Sequence, residues 1–131
     1  MVDRSRRCVA QALVEFALVL PLVVSLTLGV LQVVLYAHAR DVVISSVQES
    51  ARLAAEDGRG LDDAYARAHE LISAGLGTSL EPFHVDGSID AEVVRIRIDA
   101  GLQPILPIVA HLPIHAEMWV ARERFRPGGG G

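Results

Sequence analysis

Residues 10–40 read AQALVEFALVLPLVVSLTLGVLQVVLYAHAR, and this stretch decides the fold of the chain. No Asp, Glu, Lys or Arg occurs from residue 16 to residue 39. A helix of about 20 apolar residues crosses the hydrocarbon core of a bilayer, so this run is long enough to span a membrane. We therefore predict a transmembrane helix over residues 11–39.

Basic residues lie on the N-terminal side of the run. Arg4, Arg6 and Arg7 precede it, and the positive-inside rule places residues 1–10 in the cytoplasm as a short leader. Residues 40–126 then form an extracytoplasmic domain, followed by a glycine-rich tail at residues 127–131 that we expect to be disordered. The expected location is the cytoplasmic membrane, crossed once.

Secretion signals are the alternative interpretation of the same segment. Ala37-His38-Ala39 has the A-x-A form of a signal-peptidase site, and Ser5-Arg6-Arg7 begins like a twin-arginine signal. The apolar run is much longer than the roughly 7–15 residues of a secretory signal, however, and the residues after Arg7 do not continue the twin-arginine pattern. Length favours a retained anchor, with release after Ala39 as the alternative.

Composition argues against several classes of function. The net charge of −4 gives no sign of a nucleic-acid partner, and the lone Cys8 permits no internal disulfide. His111 and His115 are four residues apart, but Pro113 between them opposes the helix that a metal pair would need. Without a glycine-rich phosphate loop or a nucleophile motif, we predict a non-enzyme with no cofactor, no metal, no catalytic residue and no small-molecule substrate.

Polar and small residues within the span are the candidates for helix association. Glu15 lies one turn into the run, where a carboxylate must reach the headgroups or find a cation. Pro21 either bends the helix or is simply tolerated, as prolines in membrane helices often are. Ser25 and Gly29 form a small-xxx-small pair that admits a neighbouring helix, although chance also produces such pairs. Gln32 either bonds to another helix or lies near the outer interface.

The stretch AQALVEF at residues 10–16, continued by the apolar run and by ESARLAA at residues 49–55, resembles the TadE-like family. This family comprises minor pilins, or pseudopilins, of the tight-adherence pilus machinery. The resemblance implies that a prepilin peptidase cuts after Ala10, so that Gln11 becomes the first residue, Glu15 the fifth and Phe16 the next. Glycine usually precedes the cut in type IV prepilins, and Ala10 departs from that pattern, so a retained leader stays open.

The resemblance also implies a role for Glu15 in assembly, because its carboxylate would neutralise the new amino group of Gln11 on the same or a neighbouring chain. Desolvating the two charges together costs less than desolvating either alone. Phe16 belongs to the same assembly motif. The implied partners are membrane lipid, other pilin-like subunits, the pilus assembly machinery and a prepilin peptidase.

An α+β fold is predicted for the whole chain. The first helix continues beyond the membrane with one apolar face, and Gly58 and Gly60 end it. A second amphipathic helix follows and is ended by Gly75 and Gly77. The apolar face of the first helix comprises Val43, Val47, Ala51, Ala54 and Ala55, and that of the second Leu61, Ala64, Tyr65, Ala68, Leu71 and Ile72.

A small antiparallel sheet of about three strands completes the predicted domain. Residues 83–86 form a short strand that ends at a Gly87-Ser88 turn, and residues 92–99 and 114–123 alternate between apolar and polar side chains. Three prolines between residues 101 and 113 predict a loop that docks on the sheet or on the membrane surface.

The sequence therefore predicts a structural, minor pilin-like subunit anchored in the cytoplasmic membrane. Two other classes stay open. A stand-alone, membrane-anchored binding module predicts a well-formed apolar pocket in the outer domain. A small hydrolase secreted after Ala39 predicts convergent polar groups in a soluble domain.

Overall fold

The computed structural model of the protein describes residues 2–56, 58–80, 82–105 and 111–122, with side chains from Val9 onward. Two helices are followed by three strands: α1 (Val2–Ala55), α2 (Leu61–Leu76), β1 (His84–Ile89), β2 (Val93–Leu102) and β3 (Leu112–Ala121). The predicted α+β class, with a long first helix and a three-stranded antiparallel sheet, is confirmed. The glycine tail at residues 127–131 and the centre of the predicted loop lie outside the described residues.

Helix α1 is one continuous rod, as predicted, and it passes through Pro21 without a break. The predicted apolar face of its outer half is buried, and Ala39, Ser46 and Ser50 extend that face. On α2, Ala64, Ala68 and Ile72 are buried, which confirms the predicted stripe. The spacing of apolar residues at three and four therefore identified the surfaces by which the two helices pack.

Glycines end both helices, but not all of the glycines predicted to do so. Gly58 adopts φ +80° after α1, and Gly77 adopts φ +55° after α2, both in the left-handed region that favours glycine. Gly60 begins α2, where its N–H donates to the Asp63 carboxylate at 3.3 Å. Gly75 lies inside α2, so the prediction that it ends the helix was wrong. Its role is instead to let α2 approach α1, because an added Cβ would lie 2.7 Å from Cγ1 of Val42.

The sheet is an antiparallel meander with the order β1-β2-β3. Its inner face, which includes Val94, Ile96, Ile98 and Ile114, packs on the two helices. The predicted turn at Gly87-Ser88 was wrong, because both residues lie within β1 and the chain reverses after Ile89. Gly87 allows a close approach there, because an added Cβ would lie 2.8 Å from Cδ1 of Ile96 and 3.0 Å from the backbone oxygen of Arg95.

Strand β3 begins earlier than predicted. Pro113 lies inside it, opposite Gly101 of β2, whereas the sequence had suggested a loop over residues 101–113. The sheet order places β3 at an edge, where a proline is tolerated because its missing N–H does not interrupt a second ladder. Between β2 and β3, the described loop residues are Gln103, Pro104, Ile105 and His111.

Candidate membrane helix and its junction with the outer domain

The N-terminal half of α1 stands clear of the rest of the protein. Large apolar side chains over residues 9–35 are exposed, including consecutive ones that point around the whole circumference of the helix. Among the described residues, one helix has the length and composition needed to cross a membrane, with a mean hydropathy of 2.5 over its most apolar window. Exposure of this much apolar surface to water is unfavourable, so the helix is more stable in lipid than in water.

Five of the polar and small residues of the candidate span lie on one side of the helix. At 3.6 residues per turn, Gln11, Pro21, Ser25, Gly29 and Gln32 fall within about a third of the circumference. The same stripe continues toward the C-terminal end of α1 through Ala39 and Val43, which are buried by the rest of the protein. The side of α1 that carries Pro21, Ser25 and Gly29 is therefore the side against which α2 and the sheet pack.

The candidate processing and assembly residues lie near the N-terminus of α1. Ala10 and Gln11 are helical and exposed, and Glu15 lies one turn above Gln11. Residues four apart on a helix are neighbours, so the carboxylate of Glu15 and a charged group at Gln11 would be within reach of each other. Within the described part of the chain, Glu15 forms no ion pair. Phe16 is 62% exposed and points about 100° away from Glu15 around the helix.

The small pair has no packing partner among the described residues. Ser25 is exposed, and nothing lies within 4 Å of a Cβ added at Gly29. By contrast Thr27, on the far side of the helix, donates its hydroxyl to the carbonyl of Val23 at 2.8 Å. Gly29 itself is half-buried, but none of the described residues blocks the approach of another helix to it.

A polar junction ties the loop after β2 and strand β3 to α1 at Gln32 and Tyr36. Oε1 of Gln32 accepts a hydrogen bond from the backbone N–H of Ile105 at 2.7 Å, and Gln32 is only 6% exposed. The Tyr36 hydroxyl donates to the Pro113 carbonyl at 3.4 Å. Sequence reasoning noticed Gln32 but could not assign its partner, because Ile105 lies 73 residues away and no local pattern connects them.

The outward face of the sheet carries charged pairs. Arg95 forms an ion pair with Glu117, and its guanidinium lies 5.0 Å from the ring centroid of Trp119, which is 60% exposed. His115 Nδ1 lies 2.5 Å from Asp99 Oδ1, and Arg97 Nε lies 3.0 Å from Asp99 Oδ2. The hydrogen bond with His115 lowers the pKa of Asp99, burial acts in the opposite direction, and the nearby Arg97 lowers the pKa further.

A cleft lies beside the junction. It has a volume of about 520 Å³ and is lined by Leu35, His38, Leu76, Leu102 and Ile105, among others. The described residues contain no group of three or more His, Cys, Asp or Glu side chains that would suit a metal ion. The lining of the cleft is mostly apolar, and Leu35 and His38 of α1 form part of it.

The structure combines an exposed apolar helix, a carboxylate near the N-terminus of that helix, and a small domain that packs on its C-terminal half. The family model for TadE-like protein matches residues 10–52. This segment is TadE-like. The match covers about a third of the chain and nearly all of α1 from Ala10 onward, so the resemblance based on AQALVEF and the apolar run is confirmed. No curated protein and no solved structure matches the chain.

The TadE-like segment and the exposed apolar helix together fit a pilin-like subunit anchored in a membrane. Residues 53–131 lie beyond the match, so the role of the outer domain rests on its own geometry.

Proposed function

We infer that this chain is a structural, minor pilin-like subunit of a tight-adherence pilus or a related secretion apparatus. It is anchored in the cytoplasmic membrane with its N-terminus in the cytoplasm, and it assembles through α1. The observation that carries the proposal is the coincidence of the TadE-like match with the exposed apolar part of the helix. The domain boundaries proposed from the sequence, with a leader at residues 1–10 and an outer domain from residue 40, belong to the same proposal.

The distance between two polar residues supports a membrane position. Tyr36 follows Glu15 by 21 residues, which corresponds to about 32 Å of helix at about 1.5 Å per residue. The hydrocarbon core of a bilayer is about 30 Å thick. Glu15 at the inner headgroups and Tyr36 at the outer interface, where tyrosine is enriched, therefore bracket the membrane without strain.

Glu15 is the residue on which assembly would depend. A carboxylate at the membrane edge is tolerated through the headgroups, but a subunit drawn into a packed helical fibre would lose that hydration. A cation must then replace water, and the amino group exposed by cleavage before Gln11 lies one turn away on the same or a neighbouring chain. The small pair Ser25 and Gly29 would allow the close helix contact that such pairing requires.

Membrane insertion and assembly are tested separately with the full-length chain in its native membranes. We expect wild type, Glu15→Gln and Glu15→Leu all to resist extraction by alkaline carbonate, because the apolar helix is intact. Only wild type should enter the high-molecular-weight fibre fraction recovered by shearing. Thr27→Val is the matched control, since it removes a polar group from the span on the opposite side of the helix and should assemble normally.

Two results would overturn the proposal. Normal entry of Glu15→Leu into the fibre fraction would remove the assembly role of the carboxylate, and extraction of wild type by carbonate would remove the anchor. N-terminal sequencing of the membrane-bound chain separates the alternatives for processing. A start at Gln11 agrees with prepilin cleavage, a start at Met1 with a retained leader, and a start at Arg40 with the secreted protein.

The stand-alone binding module is favoured by one observation, the cleft of about 520 Å³ at the junction. Leu35 and His38 of α1 line this cleft, so it lies beside the proposed outer membrane surface. A binding module would function equally well with Glu15→Leu, so the same assembly experiment distinguishes the two functions.

A further inference from the structure

The short loop after β2 is held at a defined height on α1. The hydrogen bond of 2.7 Å between the Ile105 N–H and Gln32 Oε1 fixes the backbone of the loop at the level of Gln32. Side chains of a helix lean toward its N-terminus, so this bond draws the loop below the Cα of Gln32 rather than above it. Burial of Gln32 shows that the contact is closed to solvent on the helix side.

That height coincides with the outer boundary of the membrane. With Glu15 at the inner edge of the hydrocarbon, about 30 Å of helix ends near Leu35, and Gln32 then lies inside the hydrocarbon. With the inner edge lowered to Gln11, as an embedded Glu15 requires, the same length ends near Leu31, and Gln32 lies at the boundary itself. In both placements Ile105 is level with the membrane rather than above it.

The chemistry of the loop suits that level. Ile105 is apolar and 46% exposed, and it lines the cleft together with Leu35 of α1, so its apolar surface continues that of the span. Pro104 has no N–H to leave unpaired, and the N–H of Ile105 is already satisfied by Gln32. An unpaired backbone N–H makes an irregular segment unstable in lipid, and neither Pro104 nor Ile105 has one.

We propose that Gln103, Pro104 and Ile105 dip into the outer leaflet beside α1, so that the outer domain of the unassembled subunit contacts lipid through Ile105. The inference rests on the proposed function, because it requires α1 to span the bilayer. The partner is the lipid surface of the same membrane, and the contact makes the domain a second, shallow membrane attachment. It would orient the sheet relative to the membrane, which a single helix free to rotate does not do.

The test measures the depth of single fluorescent labels in the full-length chain. Cysteines are introduced as Ile105→Cys, Leu26→Cys and Ser88→Cys in a Cys8→Ser background and labelled with an environment-sensitive fluorophore. The labelled proteins are reconstituted at high lipid excess into vesicles of phosphatidylcholine and phosphatidylglycerol. Quenching by nitroxide lipids reports lipid contact, and quenching by aqueous iodide reports water.

Leu26 near the middle of the span tests the anchor, Ser88 on the outward face of the sheet tests the solvent, and Ile105 tests the loop. We expect nitroxide quenching at Leu26 and Ile105, iodide quenching at Ser88, and a blue-shifted emission at Ile105. Iodide quenching at Ile105 with lipid contact at Leu26 overturns the loop insertion alone. A water-exposed Leu26 overturns the proposed function together with it, and protection of Ile105 from both quenchers shows that protein covers it and also overturns the inference.

A second variant tests the cause of the placement. Gln32→Leu removes the acceptor of the Ile105 N–H but keeps the helix apolar and intact. We expect the label at Ile105 to lose nitroxide quenching and gain iodide quenching in this variant, while the label at Leu26 is unchanged. An unchanged label at Ile105 would show that the hydrogen bond does not hold the loop in the leaflet, and this part of the inference would fail.

Discussion

Gly75 of α2 lies so close to Val42 of α1 that a Cβ added to the glycine would be 2.7 Å from Cγ1 and 3.2 Å from Cγ2 of the valine. The two helices can approach at this point only because Gly75 lacks a side chain. A β-branched valine in a helix has one strongly preferred rotamer and so cannot easily turn away. The contact therefore sets the spacing between α1 and α2 next to the junction with the span.

Gly75→Ala should destabilise the outer domain. The higher helix propensity of alanine gains about 1 kcal/mol, but overpacking against Val42 costs about 1–3 kcal/mol, so we expect a net loss of about 1 kcal/mol. Val42→Ala should make the same substitution favourable by opening the space. Thermal unfolding of the four members of this double-mutant cycle measures the coupling.

The control for this cycle is Ser73→Ala, since Ser73 is exposed on α2 two residues before the glycine. This substitution should change stability only through helix propensity, and its effect should be the same with valine or alanine at position 42. Additive effects of the substitutions at Gly75 and Val42 would contradict the contact.

Two buried serines of α1 make a matched pair. Ser46 donates its hydroxyl to the Val42 carbonyl at 2.7 Å, whereas the equally buried hydroxyl of Ser50 has no partner among the described residues. A buried polar group without a hydrogen bond costs about 1–3 kcal/mol. Ser50→Ala should therefore stabilise the chain by about 1 kcal/mol more than Ser46→Ala, and denaturant unfolding in detergent measures the difference. Equal effects of the two substitutions would mean that Ser50 has a partner after all.

The periodicity of apolar residues predicted both helix faces correctly, because each face depends on residues three and four apart. The errors occurred where tertiary packing reverses a local rule. Gly75 and Gly87 are typical helix and strand breakers by sequence, yet each lies inside an element at a point of close approach. A proline interrupts a strand only where both edges of the strand are paired. Pro113 lies in an edge strand, and which strand lies at the edge depends on the whole sheet rather than on the local sequence.

The candidate site divides in the same way. The TadE-like motif, the exposed span and the position of Glu15 are consecutive in sequence and were predicted from it. The junction is not, since Gln32 and Ile105 are 73 residues apart and Tyr36 and Pro113 are 77 apart. The sequence left Gln32 open between a bond to another helix and a position near the outer interface, and only the fold identifies its partner as Ile105.

Acid should weaken the outer domain through Asp99. Because His115 and Arg97 lower the pKa of this carboxyl in the folded state, folding is favoured by the charged form. The contribution is complete above the unfolded pKa of about 3.9 and is lost as the pH falls through that value toward the lower folded pKa. The unfolding temperature of wild type should therefore fall more steeply below about pH 4 than that of Asp99→Asn.

Asp41→Asn is the control for that experiment, since Asp41 is exposed on α1 and lies outside the sheet. Its unfolding profile should follow that of wild type. Parallel curves for wild type and Asp99→Asn over the acidic range would show that the Asp99–His115 pair does not contribute to stability in solution.

Helix association through Gly29 is the prediction that connects the span to assembly. Among the described residues, nothing lies within 4 Å of a Cβ at this position, so Gly29→Leu should leave the thermal unfolding of the outer domain unchanged. In the membrane, however, leucine would hold a neighbouring helix away from the Ser25–Gly29 surface, where close backbone approach is the source of affinity. We expect disulfide cross-linking between chains carrying Ser25→Cys in a Cys8→Ser background to fall strongly on addition of Gly29→Leu. Leu26→Cys, which points to another side of the helix, should cross-link weakly with or without the leucine. Cross-linking at Ser25 that persists with Gly29→Leu would instead place the helix contact on a different face of α1.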